Sequence, residues 1–316
     1  MDKIELLMQG PFTRAMAREA GLTDRMLQSR RFVRVMPRVW RHVDYQLTDL
    51  DWRVAATLAL PDRARLTGIS RLQAAGLDYG PRLPVRCVVQ GALHLAFDNV
   101  FLHRTKLLPP VDAVGVTIEA AFVAYAALAR VIDAIKVGEW LLHHDLLDLE
   151  VMSKLAMEQL WRPGANEVLW LLDHLDARCR SFKESEVKAI LRFAGLPEPE
   201  VNVEIEVGPA ATVIGDLVYV DYDTQVEYEG IHHQEDRGQY RRDLDRYELL
   251  RDHSRRYVQL THEHLAAPRL AVGKVFRTLL KAGYDGPPPH FGELWRLLFA
   301  PLSVAAGPRD HWRGAA

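Results

Sequence analysis

Cysteine is nearly absent, with Cys87 and Cys179 the only two among 316 residues. They lie far apart and match no metal-ligand spacing, so a disulfide framework is excluded and a reducing compartment is expected. Long uncharged apolar runs are missing as well. The most apolar region, 113–135, carries Glu119, Arg130 and Asp133, which predicts a buried helix rather than a membrane span. A dominant charge is also lacking, because 40 Lys and Arg against 42 Asp and Glu leave a net charge of -2. That balance excludes a uniformly basic nucleic-acid coat and leaves local patches open. The first residues, "MDKIELLMQGPF", are too acidic and too short in their apolar run for a signal peptide. No repeat at a solenoid period and no low-complexity tract is seen. A soluble, cytoplasmic protein of two or three domains, with no membrane partner, is the expectation.

Charge is concentrated locally. Residues 10–43 hold eight arginines (Arg14, Arg18, Arg25, Arg30, Arg31, Arg34, Arg38, Arg41) against two acids, Glu19 and Asp24. Thr13 can cap a helix through Ala20 that Gly21 ends, and Thr23 can cap a second through about Ser29. Val33, Val35, Val39 and Trp40 then supply β-type residues around Pro37. Helix, glycine turn, helix and β-ribbon form a winged helix-turn-helix pattern, and the arginines form a footprint for DNA phosphates. Arg25 and Gln28 are the candidates for reaching base edges, with Arg14, Arg18, Arg30, Arg31, Arg34 and Arg38 around them. The plainer alternative is a solvated arginine-rich face on a small cap.

Residues 46–180 read as mixed and then mainly helical. Strand-like runs "VRCVVQGALHLAF" and "VFLHR" precede helical patterns at about 117–136, 138–145, 148–160 and 164–178. The histidines of this block (His94, His103, His143, His144, His174), and His42 just before it, have no partner at catalytic or metal-ligand spacing, and no chemistry is assigned to them.

From Ser181 the pattern changes. Ser181 with Glu184 has capping-box spacing, and Val187, Ile190, Leu191 and Ala194 follow at helical period to Gly195. Alternation in "VNVEIEV", "VIGDLVYV" and "TQVEYEG" predicts three strands. In the last, Glu227 and Glu229 share a face, and Asp216 is a cross-strand neighbour of one or the other depending on register. Carboxylates gathered in this way repel one another, which makes sense if Mg2+ or Mn2+ sits between them. His232 and His233 follow closely, and a neutral ring there could act as base while a protonated one could steady phosphate charge. An exposed acidic edge beside a histidine-bearing loop is the plain alternative. The next helical stretch is rich in arginine, with Arg241, Arg242 and Arg246 placed for backbone phosphate and Asp243 spaced to pair with Arg246.

Residues 181 to about 265 resemble the very-short-patch-repair-endonuclease-like domain of the PD-(D/E)xK nuclease superfamily. The resemblance is carried by "ESEVKAILRFAGLPEPEVNVE", "GDLVY", "VEYEG", "HH", the "D..R...L" helix and "YVQLT". It implies Glu184 near the metal, Asp216 as central ligand, Glu227 as second carboxylate, and His233 or His232 beside the scissile phosphate. Glu229 stands where the family has aspartate and where the wider superfamily keeps a lysine, and Ser254-Arg255 replaces its glycine–tryptophan pair. The front, "FTRAMAREAGLTDRMLQSRRFVRVMPRVW", with the helix "GISRLQAAGL", is similar to the winged helix of AbiEi-type antitoxins.

The expected fold is therefore an α+β multidomain chain. It comprises a winged helix-turn-helix at 1–45, a mixed and helical region at 46–180, an α/β restriction-endonuclease-like domain at 181–270 and a helical extension at 271–316. The expected function is Mg2+- or Mn2+-dependent endonuclease action on DNA. The alternative is an antitoxin-type transcriptional regulator with an inactive nuclease-like domain. An RNA substrate, a toxin partner and a homodimer all stay open.

Overall fold

In the computed structural model, which describes residues 5, 7–206, 212–229 and 256–308, the chain is a mixed α and β structure. Its described residues form thirteen α-helices and three open sheets. None of those helices is long and apolar enough to cross a membrane. Two compact units are formed, Met1–Tyr125 with Lys154–Gln159, and Ala126–Ser153 with Leu160–Ala316.

The first unit begins with β1 (Phe12–Thr13), α1 (Arg14–Glu19) and α2 (Asp24–Leu27). Thr13 and Thr23 cap the two helices through their hydroxyls, accepting from Met16 N and Met26 N. Each such cap contributes about 1 kcal/mol. Gly21, at φ +87°, makes the tight turn between them. Strands β2 (Phe32–Met36) and β3 (Val39–His42) form a hairpin, and β1 joins it in the order β1-β3-β2. Phe12, Ala17, Leu22 and Leu27 are buried beneath Phe32 and Trp40, with the Phe12 and Phe32 rings edge to face at 5.7 Å.

Thr48 caps α3 (Asp49–Ala59), which is followed by β4 (Arg65–Leu66), α4 (Gly68–Ala74), β5 (Val85–Gln90), β6 (Val100–Thr105) and α5 (Ile118–Ala126). Helix α3 lays Ala55, Ala56 and Ala59 into one core with Met36, Val39, Leu66, Val85 and Cys87. The expected segment boundary at 45/46 thus falls inside a shared core.

The second unit contains α6 (Val131–His143), part of α7 (Leu149–Glu158), α8 (Ala165–Leu171) and α9 (Phe182–Phe193). The helical pattern expected across 117–136 is broken at 127–130, and α6 runs on through the break expected near 137. The reason is tertiary. Val131 N donates to Ala300 O, and Leu302 N donates to Ala129 O, so this short stretch pairs with a distant one and leaves the helical path. The pattern expected over 164–178 likewise ends early, α8 giving way to a single 3-10 turn at Leu172–His174.

His174 lies against Trp170 and Phe193, and its Nδ1 is buried without a hydrogen-bond partner. Burial first, and then the charge of Arg192, push its pKa down to about 4. An unfolded histidine titrates near 6.5, so between those values the unfolded chain binds a proton that the folded chain refuses. Stability should fall as pH drops through that window. In His174→Phe the loss of urea midpoint between pH 7.5 and pH 4.5 should be smaller than in wild type, and equal losses would refute the assignment.

After α9 come β7 (Glu200–Glu206), β8 (Thr212–Tyr219), β9 (Thr224–Tyr228) and β10 (Arg256–Leu260), then α10 (His262–Ala266), α11 (Pro268–Lys281), α12 (Glu293–Leu298) and α13 (Leu302–Ala306). The sheet order is β10-β9-β8-β7; β7, β8 and β9 run antiparallel and β10 is parallel to β9. Gly215 is demanded by close packing, since a Cβ there would lie 2.6 Å from Val218 Cγ2 and 2.9 Å from Ile205 Cδ1.

Candidate active site

Register resolves the choice that alternation left open. Leu217 pairs with Val226, so the next step along the antiparallel ladder sets Asp216 opposite Glu227 rather than Glu229. On the other side, Val201 pairs with Leu217 and Val203 with Gly215, which leaves Asn202 facing Asp216. Glu227 pairs in turn with Gln259 on β10. A row of polar positions, Asn202, Asp216, Glu227 and Gln259, therefore crosses all four strands. Neighbouring positions in such a row have backbones about 5 Å apart.

The row is not an exposed acidic edge. Glu227 is only 7% exposed, and Thr224, Gln225 and Val226 before it are buried too. Its Oε2 accepts from Tyr257 Oη at 3.0 Å, and its Oε1 accepts from Gln225 Nε2. A carboxylate taken out of water needs such donors, and both come from positions adjacent to the row. Asp216 is half-buried. Strand β9 ends at Tyr228, one residue short of Glu229, whose N–H still donates to Leu260 O at 2.8 Å.

Glu184 sits in the first turn of α9, where Ser181 Oγ accepts from its N–H. Its Oε2 accepts from Arg180 N at 2.9 Å and from Asn202 Nδ2 at 2.8 Å, so the carboxylate is tied to β7 at the position facing Asp216. Nearby, Lys183 Nζ lies 5.3 Å from the Tyr228 ring centroid. His232, His233, Arg241, Arg242 and Arg246 lie outside the described residues.

Asp216 and Glu227 are hard oxygen donors of the kind a divalent cation takes, but both oxygens of Glu227 already accept from Gln225 and Tyr257. Among the described residues no group of three or more His, Cys, Asp or Glu is close enough to hold an ion. Any further ligand has to come from a side-chain movement or from the segment that is not described.

The front arginines divide into two sets. Arg14 Nε donates to Asp24 Oδ1 at 2.6 Å, and Arg18 Nη2 donates to Asp24 Oδ2 at 2.7 Å. Arg14, with Arg18 second, holds the Asp24 carboxyl far below the usual range. Arg34 Nε reaches Met36 O at 3.4 Å and Arg38 Nη2 reaches Ala59 O at 3.0 Å. Arg14, Arg34 and Arg38 line an open groove of about 770 Å³ together with Trp40, Leu58 and Pro61. Arg25, Gln28, Arg30 and Arg31 are exposed.

Sequence reading passed over Asn202, Gln225 and Tyr257. Tyr257 is brought to Glu227 only by the pairing of β9 with β10, whereas Gln225 lies two residues before Glu227 on the same strand and so shares its face. Asn202 had a faint signal, an asparagine inside an otherwise alternating strand, where asparagine is a poor strand former. Comparison of the chain with protein-family models, with curated proteins and with solved structures gives no match.

Proposed function

We propose that this chain binds DNA through its front helix-turn-helix and hairpin, and hydrolyses phosphodiesters at an α/β restriction-endonuclease-like site in its second unit. The observation that carries the reading is the antiparallel register of Leu217 with Val226, which continued by one step puts Asp216 and Glu227 at facing positions. The order helix α9, three antiparallel strands, then a strand parallel to the third supports that reading. Asp216 and Glu227 would hold Mg2+ or Mn2+, with Glu184 beside them. Bound there, the ion would supply Lewis-acid and activated-water chemistry for phosphodiester hydrolysis. Tyr257 and Gln225 keep Glu227 oriented, and His233, with His232, is assigned proton transfer near the leaving oxygen.

A second reading has its own support. Both oxygens of Glu227 are already engaged by neutral donors, and no three-ligand group exists among the described residues. An inactive domain serving an antitoxin-type regulator would look like this. Purified protein incubated with supercoiled, linear and single-stranded DNA, and with RNA, in Mg2+, Mn2+ or EDTA separates the two. Metal-dependent cleavage of DNA supports the nuclease, cleavage of RNA alone reassigns the substrate, and tight DNA binding without cleavage supports the regulator.

The DNA-binding half makes a separate prediction. Arg14 and Arg18 spend their charge on Asp24, whereas Arg25, Arg30 and Arg31 face solvent. Alanine at Arg25 and Arg30 should weaken DNA binding and flatten its salt dependence, while Asp24→Asn should steepen the log–log salt slope by about one unit per released arginine that reaches phosphate. A slope unchanged by Asp24→Asn would show that Asp24 withholds nothing from DNA.

A further inference from the structure

The first unit carries cations to which neither the helix-turn-helix nor the acidic row gives a role. Strand β6 ends the sheet ordered β4-β5-β6; it runs parallel to β5, with no strand on its far side among the described residues. From Arg86 to Val111 the sequence holds Arg86, Arg104 and Lys106 against one acid, Asp98. Arg104 and Lys106 are exposed, and with Phe101 and His103 they line an open groove of about 720 Å³ along β6. Arg104 Nη1 lies 3.0 Å from His94 Nδ1, so its neighbour is an imidazole rather than a carboxylate.

Arg86 is held differently. It is half-buried, faces Phe101 in the β5–β6 register, and its guanidinium lies over that ring with Cζ 5.2 Å from the centroid. The ring is 49% exposed, so the contact is a surface feature and not core packing. A guanidinium steadied on a ring still has in-plane N–H donors for an anion. Burial lowers the Arg86 pKa, and among the described residues no carboxylate offsets that. A half-buried cation without a counter-charge is destabilising, and an anion brought to it relieves that.

Packing joins this surface to the front of the same unit. Val100 and Leu102 of β6 pack against the core that also holds Met36 and Val39 of the front hairpin. Charge selects the occupant: three cations without a carboxylate partner suit a polyanion, and the polyanion assigned to this unit is DNA.

We infer that Arg86, Arg104 and Lys106 form a second phosphate-binding surface, which holds the backbone of the DNA duplex apart from the bases read by the helix-turn-helix. The inference rests on the reading of the first unit as DNA-binding. The surface reads no sequence and contributes affinity and salt dependence. Phe101 is a positioning residue that steadies the Arg86 guanidinium.

The test uses full-length protein and a fluorescently labelled duplex of random sequence, in EDTA to prevent cleavage, with anisotropy followed across a potassium chloride series. Arg104→Ala with Lys106→Ala should make the log–log slope shallower by about two units, at about 0.9 per lost phosphate contact, and Arg86→Gln should remove about one more. Phe101→Leu should weaken binding, and should add nothing in an Arg86→Gln background; a further loss there refutes the positioning role. Circular dichroism and thermal unfolding check each variant, and the exposed pair Arg104 and Lys106 carries the test should Arg86→Gln fail to fold. An unchanged slope in Arg104→Ala/Lys106→Ala overturns the surface. Weaker binding at an unchanged slope overturns it too, because a lost phosphate contact must alter counterion release. If wild type binds polyglutamate and the double variant loses that while keeping its DNA slope, the surface belongs to an acidic polypeptide and the inference fails. Arg25→Ala with Arg30→Ala separates the two readings. A shallower slope there, with none in Arg104→Ala/Lys106→Ala, sinks the β6 surface alone; no DNA binding by wild type sinks both.

Discussion

Asp216→Ala should reduce metal-dependent DNA cleavage to about one hundredth of wild type or less, the scale expected when several kcal/mol of charge stabilisation are removed. Asp216 is the middle acidic position of the row, flanked by Asn202 on one side and Glu227 on the other. Removing it leaves Glu227 as the sole carboxylate within the sheet part of the row, too little to hold an ion against water. Stability should change much less than cleavage, since Asp216 is half-buried and its side chain is short and polar. Rates should therefore be compared at matched folding, checked by circular dichroism, with Asp216→Asn alongside to separate charge from shape. Cleavage by Asp216→Ala at the wild-type rate would remove the proposed site, whatever activity the protein has.

The largest effect on stability is expected elsewhere, at Glu139 on α6 and Lys188 on α9. Glu139 is fully buried and Lys188 is 1% exposed, with Lys188 Nζ donating to Glu139 Oε1. Asp176 N also donates to Glu139 Oε1, at 3.1 Å, and Asp176 Oδ2 lies 3.7 Å from Lys188 Nζ. Burial, the largest single influence, pulls the Lys188 pKa down, but the electrostatic influence of Glu139 and Cys179, the hydrogen bond to Glu139 and the charge of Asp176 together outweigh it and the net direction is up. Breaking such a pair on one side strands a charge in the interior. Lys188→Met and Glu139→Leu should each cost about 3–5 kcal/mol in urea unfolding, whereas the double variant should regain most of that loss. Single variants within about 1 kcal/mol of wild type would refute the pairing, because a buried charge left alone cannot be that cheap. One practical consequence concerns fragments. The expected boundary at 180/181 passes between the two partners, so residues 181–270 expressed alone carry Lys188 without Glu139 and should not fold stably.

Short-range signals were legible wherever the chemistry of an element lay within a few residues of its end. Thr13, Thr23 and Ser181 can cap because a hydroxyl reaches the N–H three positions on, and all three do so. The three strands around Asp216 and Glu227 followed from alternation for a similar reason, since side chains on successive strand residues must point to opposite faces. Where a distant partner decides, the local pattern misled. Residues 127–130 have helical composition, but their backbone pairs with Ala300–Leu302 and the helix breaks there. Strand alternation also leaves Glu227 on a face without saying whether that face is wet. Tyr257, which with Gln225 makes its burial tolerable, is recruited by the register of β10 alone.

By itself, then, the sequence determined the capped helix starts at Thr13, Thr23 and Ser181, the strands around 216 and 227, the arginine-rich front and the kinds of group gathered there, because each depends on contacts within one turn or one strand. Tertiary structure decided which of those groups meet. It selected Glu227 over Glu229 as the neighbour of Asp216, clamped Glu184 through Asn202, committed Arg14 and Arg18 to Asp24 and buried Glu139 with Lys188. Register and burial are properties of paired segments, and no single segment contains them.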